Sequence, residues 1–285
     1  MNEALNLQKA WINRDGFVFH TNTERLYIDL KKTKWNARIG RQRINWGMSA
    51  IWNPNDLFNA YNFLDFDYEE RSGVDGVKLQ YLQSDFSNIE IVYSAAKTKQ
   101  MVAAVRYFLN KWNYDLQLIA GWYKNQATLG TGWAGNIKDA GFKGEVQYYF
   151  TGKDSLDQLN ITLGIDYMFK KGWYLNAGAL YNSHGINEAV SNWNTINLNL
   201  SAKNLMPGKH NLLLTGRKEI TPVMSASLSM VYSPGLDLLI LLPGFAYTIS
   251  GKLDAELIWQ SYFADINNRF QAINHFGFCR IRWSF

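Results

Sequence analysis

The sequence predicts an all-β protein: a membrane-spanning, antiparallel, up-and-down β-barrel. Three observations predict it. Apolar and polar residues alternate in segments of about nine to twelve residues, aromatic residues gather near the segment ends, and short connections alternate with long ones. A tilted strand needs roughly 9–11 residues to cross a bilayer, whereas strands average about five or six residues in globular proteins. We expect one barrel domain over residues 1–285.

The alternation defines the strands. From Leu159 to Phe169 the odd-numbered residues are apolar and the even-numbered residues are mostly polar or small. The same division recurs in the segments 113–124, 140–150 and 252–263. Successive side chains of a strand point to opposite faces. Each segment would therefore present an apolar face to lipid and a polar face to the interior.

The aromatic residues of the apolar faces fall into two groups, as expected of the two interfacial girdles of a membrane barrel. Trp35, Tyr114, Trp173 and Trp283 lie near the predicted short turns, and Tyr93, Trp122, Tyr181 and Tyr232 lie near the opposite strand ends.

Connection lengths indicate about 16 strands, with about 14 as the fallback, because short turns and long loops alternate around such a barrel. The weakly patterned segment 127–134 has to be a strand to keep this alternation in step. Bacterial barrels have an even number of strands, so we assign a further strand to about 5–13. The two longest loops are then about 45–73 and 183–208.

The composition excludes several other classes. The longest purely apolar run, Leu238 to Leu242, is far shorter than the roughly 18 residues of a transmembrane helix. A single cysteine, Cys279, allows no disulfide framework, and the four histidines have no metal-ligand spacing. We expect no metal and no cofactor. The net charge of +5 is spread along the chain instead of forming a stripe, so we expect no nucleic-acid partner.

The segment from Met1 to Trp11 is too polar for a signal peptide. An outer-membrane protein must be exported, so we expect this start to be a mature or a truncated terminus. Whether a signal peptide and first strands are missing stays open.

Charged residues on the predicted inner face are the candidates for pore-lining positions. They are Lys78, Glu90, Arg106, Asp115, Lys143, Glu145, Asp166, Asp254, Glu256, Arg280 and Arg282. Both signs are present, which favours hydrogen-bonded pairs along the wall of a water-filled interior. The alternative is an anion-preferring constriction formed by Arg106, Arg280 and Arg282, because rings of one charge set ion selectivity.

The loop at about 45–73 is rich in aromatic residues, which would be left exposed if it extended into water. We expect it to fold inward or across the mouth and to narrow the channel. Its candidate constriction residues are Asp65, Asp67, Glu69, Glu70 and Arg71. The first three could instead bind Ca²⁺, but their spacing lacks the glycine and the distal bidentate glutamate of an EF-hand. A solvated acidic rim paired with Arg71 fits better.

Two segments carry a resemblance to known families. The chain ends Arg280-Ile281-Arg282-Trp283-Ser284-Phe285, which resembles the C-terminal signature of Gram-negative outer-membrane barrels. This resemblance implies that Trp283 and Phe285 are read by the barrel-assembly machinery. The segments 40–47 (GRQRINWG) and 52–58 (WNPNDLF) resemble a pattern of porin-like outer-membrane proteins of the Bacteroidetes type.

The predicted function is a porin-like channel in the bacterial outer membrane for passive diffusion of small polar solutes. The partners would be outer-membrane lipid, the assembly machinery and those solutes, and an oligomer is open. A closed or plugged structural or adhesion barrel that acts through its outer loops is the alternative. A hydrolase has the weakest support, because Ser183 and His184, with Ser191 or Asn192, do not define a nucleophile with a positioned base. We expect no enzyme.

Overall fold

The computed structural model describes residues 4–60, 62–66, 73–95, 100–152, 156–189, 200–266 and 269–285. Within these ranges the chain forms seventeen strands. The strands are β1 (Gln8–Arg14), β2 (Phe17–Asn22), β3 (Leu26–Lys32), β4 (Trp35–Gln42), β5 (Val74–Ser84), β6 (Ser87–Ser94), β7 (Val102–Lys111), β8 (Tyr114–Tyr123), β9 (Gln126–Ile137), β10 (Ala140–Phe150), β11 (Gln158–Phe169), β12 (Trp173–Asn182), β13 (His210–Thr221), β14 (Met224–Ser233), β15 (Leu238–Ser250), β16 (Leu253–Asp265) and β17 (Phe270–Trp283). No helix in the described ranges is long and apolar enough to cross a membrane.

Strands β3 to β17 form one sheet of fifteen strands in which each strand pairs antiparallel with its sequence neighbour. Two-residue turns join several pairs. Trp112 and Asn113, for example, have φ angles of 57° and 61°, the left-handed conformation that a tight hairpin requires at both central positions. Within the described residues, the end strands β3 and β17 pair only with β4 and β16.

The sheet curls around the segment between β4 and β5. Phe58 of this segment lies in one apolar cluster with Val92 on β6, and the carbonyl of Leu64, six residues later, accepts a hydrogen bond from Gln260 on β16. Six residues span at most roughly 20 Å, whereas in a flat sheet β6 and β16 would lie roughly 50 Å apart. The sheet is therefore the wall of a barrel, and the face that contacts the loops is its inner face.

The outer face of the sheet is apolar and uncovered. Ile28 on β3, Leu118 on β8 and Leu163 on β11 are 67%, 57% and 45% exposed. A soluble protein rarely leaves so continuous an apolar band in water, whereas such a band is what the barrel of a membrane protein presents to lipid. The fold is that of a membrane-spanning, up-and-down β-barrel.

The strand count differs from the expected sixteen in one place. The strand expected at 5–13 corresponds to β1, but Phe17–Asn22 forms a further strand, β2, which pairs with β1 alone. Its cause is the Asp15-Gly16 turn, where Gly16 has a φ of 83°. Asp-Gly between apolar runs is a strong hairpin signal, whereas an even number of strands leaves room for only one strand before β3.

Candidate functional site: the interior of the barrel and its two loops

The β4–β5 loop, residues 43–73, is described over 43–60, 62–66 and 73. Its aromatic and aliphatic side chains are buried against the inner face in two clusters. Trp46 and Phe58 pack edge to face at 5.0 Å between ring centroids and lie in one cluster with apolar side chains of β5 to β8 and of β10. Trp52 and Phe63 do the same at 5.9 Å and contact β12 to β16. Burial of these rings gives the loop a defined position inside the barrel.

Glu145 on β10 is the polar anchor of this loop. It is fully buried, and its carboxylate accepts backbone N–H hydrogen bonds from Met48, from Ser49 at 2.8 Å and from Asn55 at 2.9 Å. The Asn55 side chain donates to the carbonyl of Thr131 on β9 at 2.9 Å. A buried carboxylate is costly unless it is hydrogen-bonded, and here three loop amides supply those bonds.

A second polar cluster binds the start of the loop. The indole N–H of Trp46 donates to Glu90 Oε2 at 2.7 Å, and the amide of Gln117 on β8 donates to the Trp46 carbonyl at 2.7 Å. Glu90 also pairs with Arg106 at 3.0 Å and with Lys78 at 3.8 Å. Three predicted pore-lining residues thus form one network beneath Trp46.

The described end of the loop reaches the opposite edge of the sheet. Gln260 on β16 donates to the Leu64 carbonyl at 3.3 Å, and Arg280 donates to the Phe66 carbonyl at 2.6 Å. Arg280 also pairs with Glu256 at 3.1 Å. The loop therefore crosses the interior from β6 to β17.

The β12–β13 loop, residues 183–209, is described over 183–189 and 200–209 and also packs on the inner face. The amides of Gln158 and Asn160 on β11 donate to the Lys203 carbonyl at 2.6 and 3.0 Å. Met206 is buried in the same cluster as Trp52. Partial burial, with Lys124 nearby, lowers the pKa of Lys203, whose ammonium donates to Gln126 at 2.6 Å.

Open space lies beside the β13–β17 side of the wall. A cavity of about 460 Å³ is lined there by charged side chains of both signs. They are Arg217, Glu219, Asp254, Glu256, Arg280 and Arg282. Between them lie Ser225 on β14 and Ala246 on β15, whose small side chains leave the space open. This part of the interior can hold a small polar solute.

The predicted pore-lining residues share the inner face but differ in surroundings. Lys143 pairs with Asp166 at 3.0 Å, Asp115 accepts from Asn110 at 2.7 Å, and Asp254 accepts from Thr248 at 2.7 Å. Glu145 is covered by the β4–β5 loop, because its carboxylate accepts hydrogen bonds from three loop amides. Their part in a pore stays a prediction.

The anion constriction expected from Arg106, Arg280 and Arg282 combines residues from different surroundings. Arg106 on β7 pairs with Glu90, whereas Arg280 on β17 pairs with Glu256. Arg106 and Arg280 each lie beside a carboxylate of the wall, which favours the paired wall over a ring of one charge.

The remaining predicted residues give a mixed outcome. Asp65 is exposed at the surface of the β4–β5 loop, while Asp67, Glu69, Glu70 and Arg71 lie outside the described residues. Trp283 and Phe285 are exposed at the end of β17. Within the described chain, no three His, Cys, Asp or Glu side chains are grouped to hold a metal.

The candidate hydrolase residues lie in the β12–β13 loop. Ser183 Oγ lies 3.3 Å from His184 Nδ1 and also accepts the Leu159 N–H. Ser191 and Asn192 fall outside the described ranges.

Sequence reasoning missed the neutral amides that bind the loops. Gln117, Gln158, Asn160 and Gln260 are buried on the inner face and donate to loop carbonyls. Their signal is in the sequence, since each occupies a polar position of an alternating strand. The candidate pore-lining residues were chosen for their charge, and these four residues are neutral.

Solved structures resemble this fold. Pseudomonas aeruginosa OccK11 (OpdR) has a TM-score of 0.61 at 10% identity over 91% of this chain and 80% of that chain. Pseudomonas aeruginosa OccK5 (OpdH) has a TM-score of 0.61 at 9% identity over 94% and 83%. Acinetobacter baumannii OccAB4 has a TM-score of 0.59 at 13% identity over 90% and 72%. No protein-family model and no curated protein matches the sequence. The likeness shows that this chain has the fold of outer-membrane β-barrel porins.

Proposed function

We propose that this chain is a porin-like channel of the bacterial outer membrane, through which small polar solutes diffuse passively. The observation that carries the proposal is the contrast between the two faces of one sheet. The outer face exposes apolar side chains, while the inner face keeps a charged cavity of about 460 Å³ beside two packed loops. The main sheet of fifteen strands, with the further β1–β2 pair, is close in size to the barrels of about 16–18 strands that leave an aqueous channel.

The β4–β5 loop sets the width of the proposed path. Its buried rings and the Glu145 anchor hold it across the interior, so the free cross-section is what the two loops leave open. Diffusion through such a path needs no cofactor and no catalytic group, and we expect no enzyme activity. The paired charges on the wall favour weak ion selectivity.

The finer assignments are also proposals. The motif segments 40–47 and 52–58 support a porin-like protein of the Bacteroidetes type. The exposed aromatic side chains of Trp283 and Phe285 are suited to recognition by the barrel-assembly machinery. Outer-membrane lipid would cover the apolar outer face. The chain could act alone or as an oligomer.

Single-channel recording of the refolded protein in a planar bilayer tests the channel directly. We expect discrete conductance steps that grow when residues 49–63 are replaced by a short Gly-Ser linker, because this removes most of the loop from the interior. The matched control replaces the β1–β2 turn at Asp15-Gly16, which lies outside the main sheet, and should leave the steps unchanged. Absence of steps in both the unmodified and the loop-shortened protein would reject a channel.

A plugged barrel is the second candidate, and one observation favours it. Trp46, Asn55 and Met206 of the two loops are almost fully buried, as in a packed core. A plugged barrel predicts no steps for the unmodified protein and clear steps after loop shortening, so the same recordings separate the two functions.

A further inference from the structure

The short-turn end of the barrel carries a basic rim. We use this name for the lysines at the β3–β4, β7–β8, β9–β10, β11–β12 and β15–β16 turns. They are Lys31, Lys32, Lys34, Lys111, Lys138, Lys170, Lys171 and Lys252, and all eight are exposed. The acidic residues in these turns and in the β5–β6 turn are Asp85 and Asp139. The rim therefore has a strong excess of positive charge.

The excess of positive charge is confined to this end. The described loops at the opposite end carry both signs in nearly equal number: Arg25, Arg43, Lys124, Lys203, Lys209 and Arg269 against Glu24, Asp65, Asp157, Glu188 and Asp237. Among the rim lysines, Lys31 is the only one that forms an ion pair within the described chain, and its ammonium lies 3.6 Å from Oδ2 of Asp29. The rim charge is therefore largely available to an external partner.

Exposed aromatic rings accompany the rim lysines. Trp112, at 75% exposure, lies under the Lys111 ammonium at 4.6 Å. Trp35 follows Lys34 directly, Trp173 lies two residues after Lys171, and both rings are about half exposed on the outer face. Tryptophan favours the boundary between hydrocarbon and headgroups, and a lysine chain can extend from there to place its ammonium in the headgroup layer. The rim lysines are thus at headgroup depth.

We propose that the basic rim binds the phosphate headgroups of anionic phospholipids in the leaflet next to the short turns. The short turns of such barrels face the periplasm, so this leaflet is the inner leaflet of the outer membrane. An anionic headgroup complements the rim in charge, and its acyl chains cover the apolar residues beside it. The proposal rests on the barrel fold and is independent of whether the channel conducts.

Lipid selectivity measured by electron spin resonance tests the proposal. The protein is reconstituted in phosphatidylcholine vesicles with a trace of spin-labelled phosphatidylglycerol or spin-labelled phosphatidylcholine, and the protein-restricted fraction of each label is compared. We expect phosphatidylglycerol to associate about threefold more strongly in low salt and the preference to weaken in about 1 M NaCl, because salt screens exposed charges.

The variant carries Lys34→Gln, Lys138→Gln, Lys170→Gln and Lys252→Gln, and its preference should fall towards onefold. The matched control removes four charges from the loop end with Arg25→Gln, Lys124→Gln, Lys209→Gln and Arg269→Gln, and should keep the preference. Equal association of both lipids with the unmodified protein would overturn the proposal, as would a preference that survives in the rim variant or is insensitive to salt. If a variant fails to fold, a preference of the unmodified protein that is insensitive to salt would still overturn the proposal.

Discussion

Glu145 illustrates how a single residue positions the interior. The alternation of apolar and polar residues along β10 predicts that the Glu145 carboxylate lies on the inner face, and the structure places it there. Its three amide donors come from residues 90 to 97 positions earlier in the chain. No local pattern encodes such long-range contacts, so the face of Glu145 was predictable and its burial was not.

Replacing Glu145 with Ala should release the β4–β5 loop. Three loop amides, of which that of Asn55 is buried, lose their acceptor, and the free energy of unfolding should fall by on the order of 3 kcal/mol. Urea denaturation in detergent micelles measures this change, and single-channel recordings should show larger or noisier steps.

Asp166→Asn is the matched control for this change. It also removes one inner-face negative charge, but Asp166 pairs with Lys143 and is not an acceptor for the loop in the contacts described. An equal effect of the two substitutions on conductance would contradict the anchoring role of Glu145.

Asp157 gives a prediction for pH. It precedes β11 and accepts hydrogen bonds from Tyr148 at 2.7 Å and from the Thr151 amide at 2.9 Å, and these bonds lower its pKa below the ordinary value of 3.8. The resulting stabilisation is present above the ordinary pKa and is lost as pH falls through the lowered folded-state pKa.

Thermal denaturation of the unmodified protein and of Asp157→Asn checks this sign. The variant should be less stable at pH 7, and the difference should shrink below pH about 4. A difference of constant size from pH 7 to pH 3 would show that ionisation of Asp157 has no part in it.

At the scale of elements, the strands follow from the sequence and the loops follow only in part. Alternation in segments such as Leu159–Phe169 is local, and it locates β11 correctly. The inward position of the β4–β5 loop follows in outline from its aromatic content. The β12–β13 loop was expected only as a long connection, because its buried Ala202, Leu205 and Met206 are too few to form a periodic pattern.

A disulfide can test where the β4–β5 loop lies. Ser49 Oγ and Thr162 Oγ1 are in hydrogen-bond contact at 3.2 Å, so cysteine side chains at the two positions should reach one another after a small rotation and form a disulfide. In a Cys279→Ser background, Ser49→Cys with Thr162→Cys should oxidise readily. Thiol titration should then find both cysteines blocked until a reductant is added.

The control pair places the second cysteine on the outer face, with Ser49→Cys and Leu163→Cys. Leu163 neighbours Thr162 but points to the other side of β11, so this pair should stay reduced. Oxidation of the control pair, or none in the test pair, would contradict the position of the loop.

At the scale of the whole molecule, the two faces of the sheet should differ in how well they tolerate a charged side chain. Leu118 lies in the middle of β8 on the outer face and is 57% exposed. Leu118→Arg should therefore destabilise the folded protein in a bilayer by about 2–4 kcal/mol, which is the cost of placing a cation near the midplane. Ser227→Arg, on the inner face of β14, should cost much less. Equal costs in vesicle-based folding titrations would show that the outer face is not in lipid.

Liposome swelling tests the central claim, passive diffusion of small polar solutes, most directly. Liposomes that contain the protein are diluted into isotonic solutions of neutral sugars of increasing size, and the swelling rate is followed by light scattering. We expect rapid swelling for the smallest sugar and a steep decline with size, because the two packed loops limit the free cross-section. Swelling no faster than in protein-free liposomes for every sugar, with the protein shown to be folded and inserted, would contradict the account.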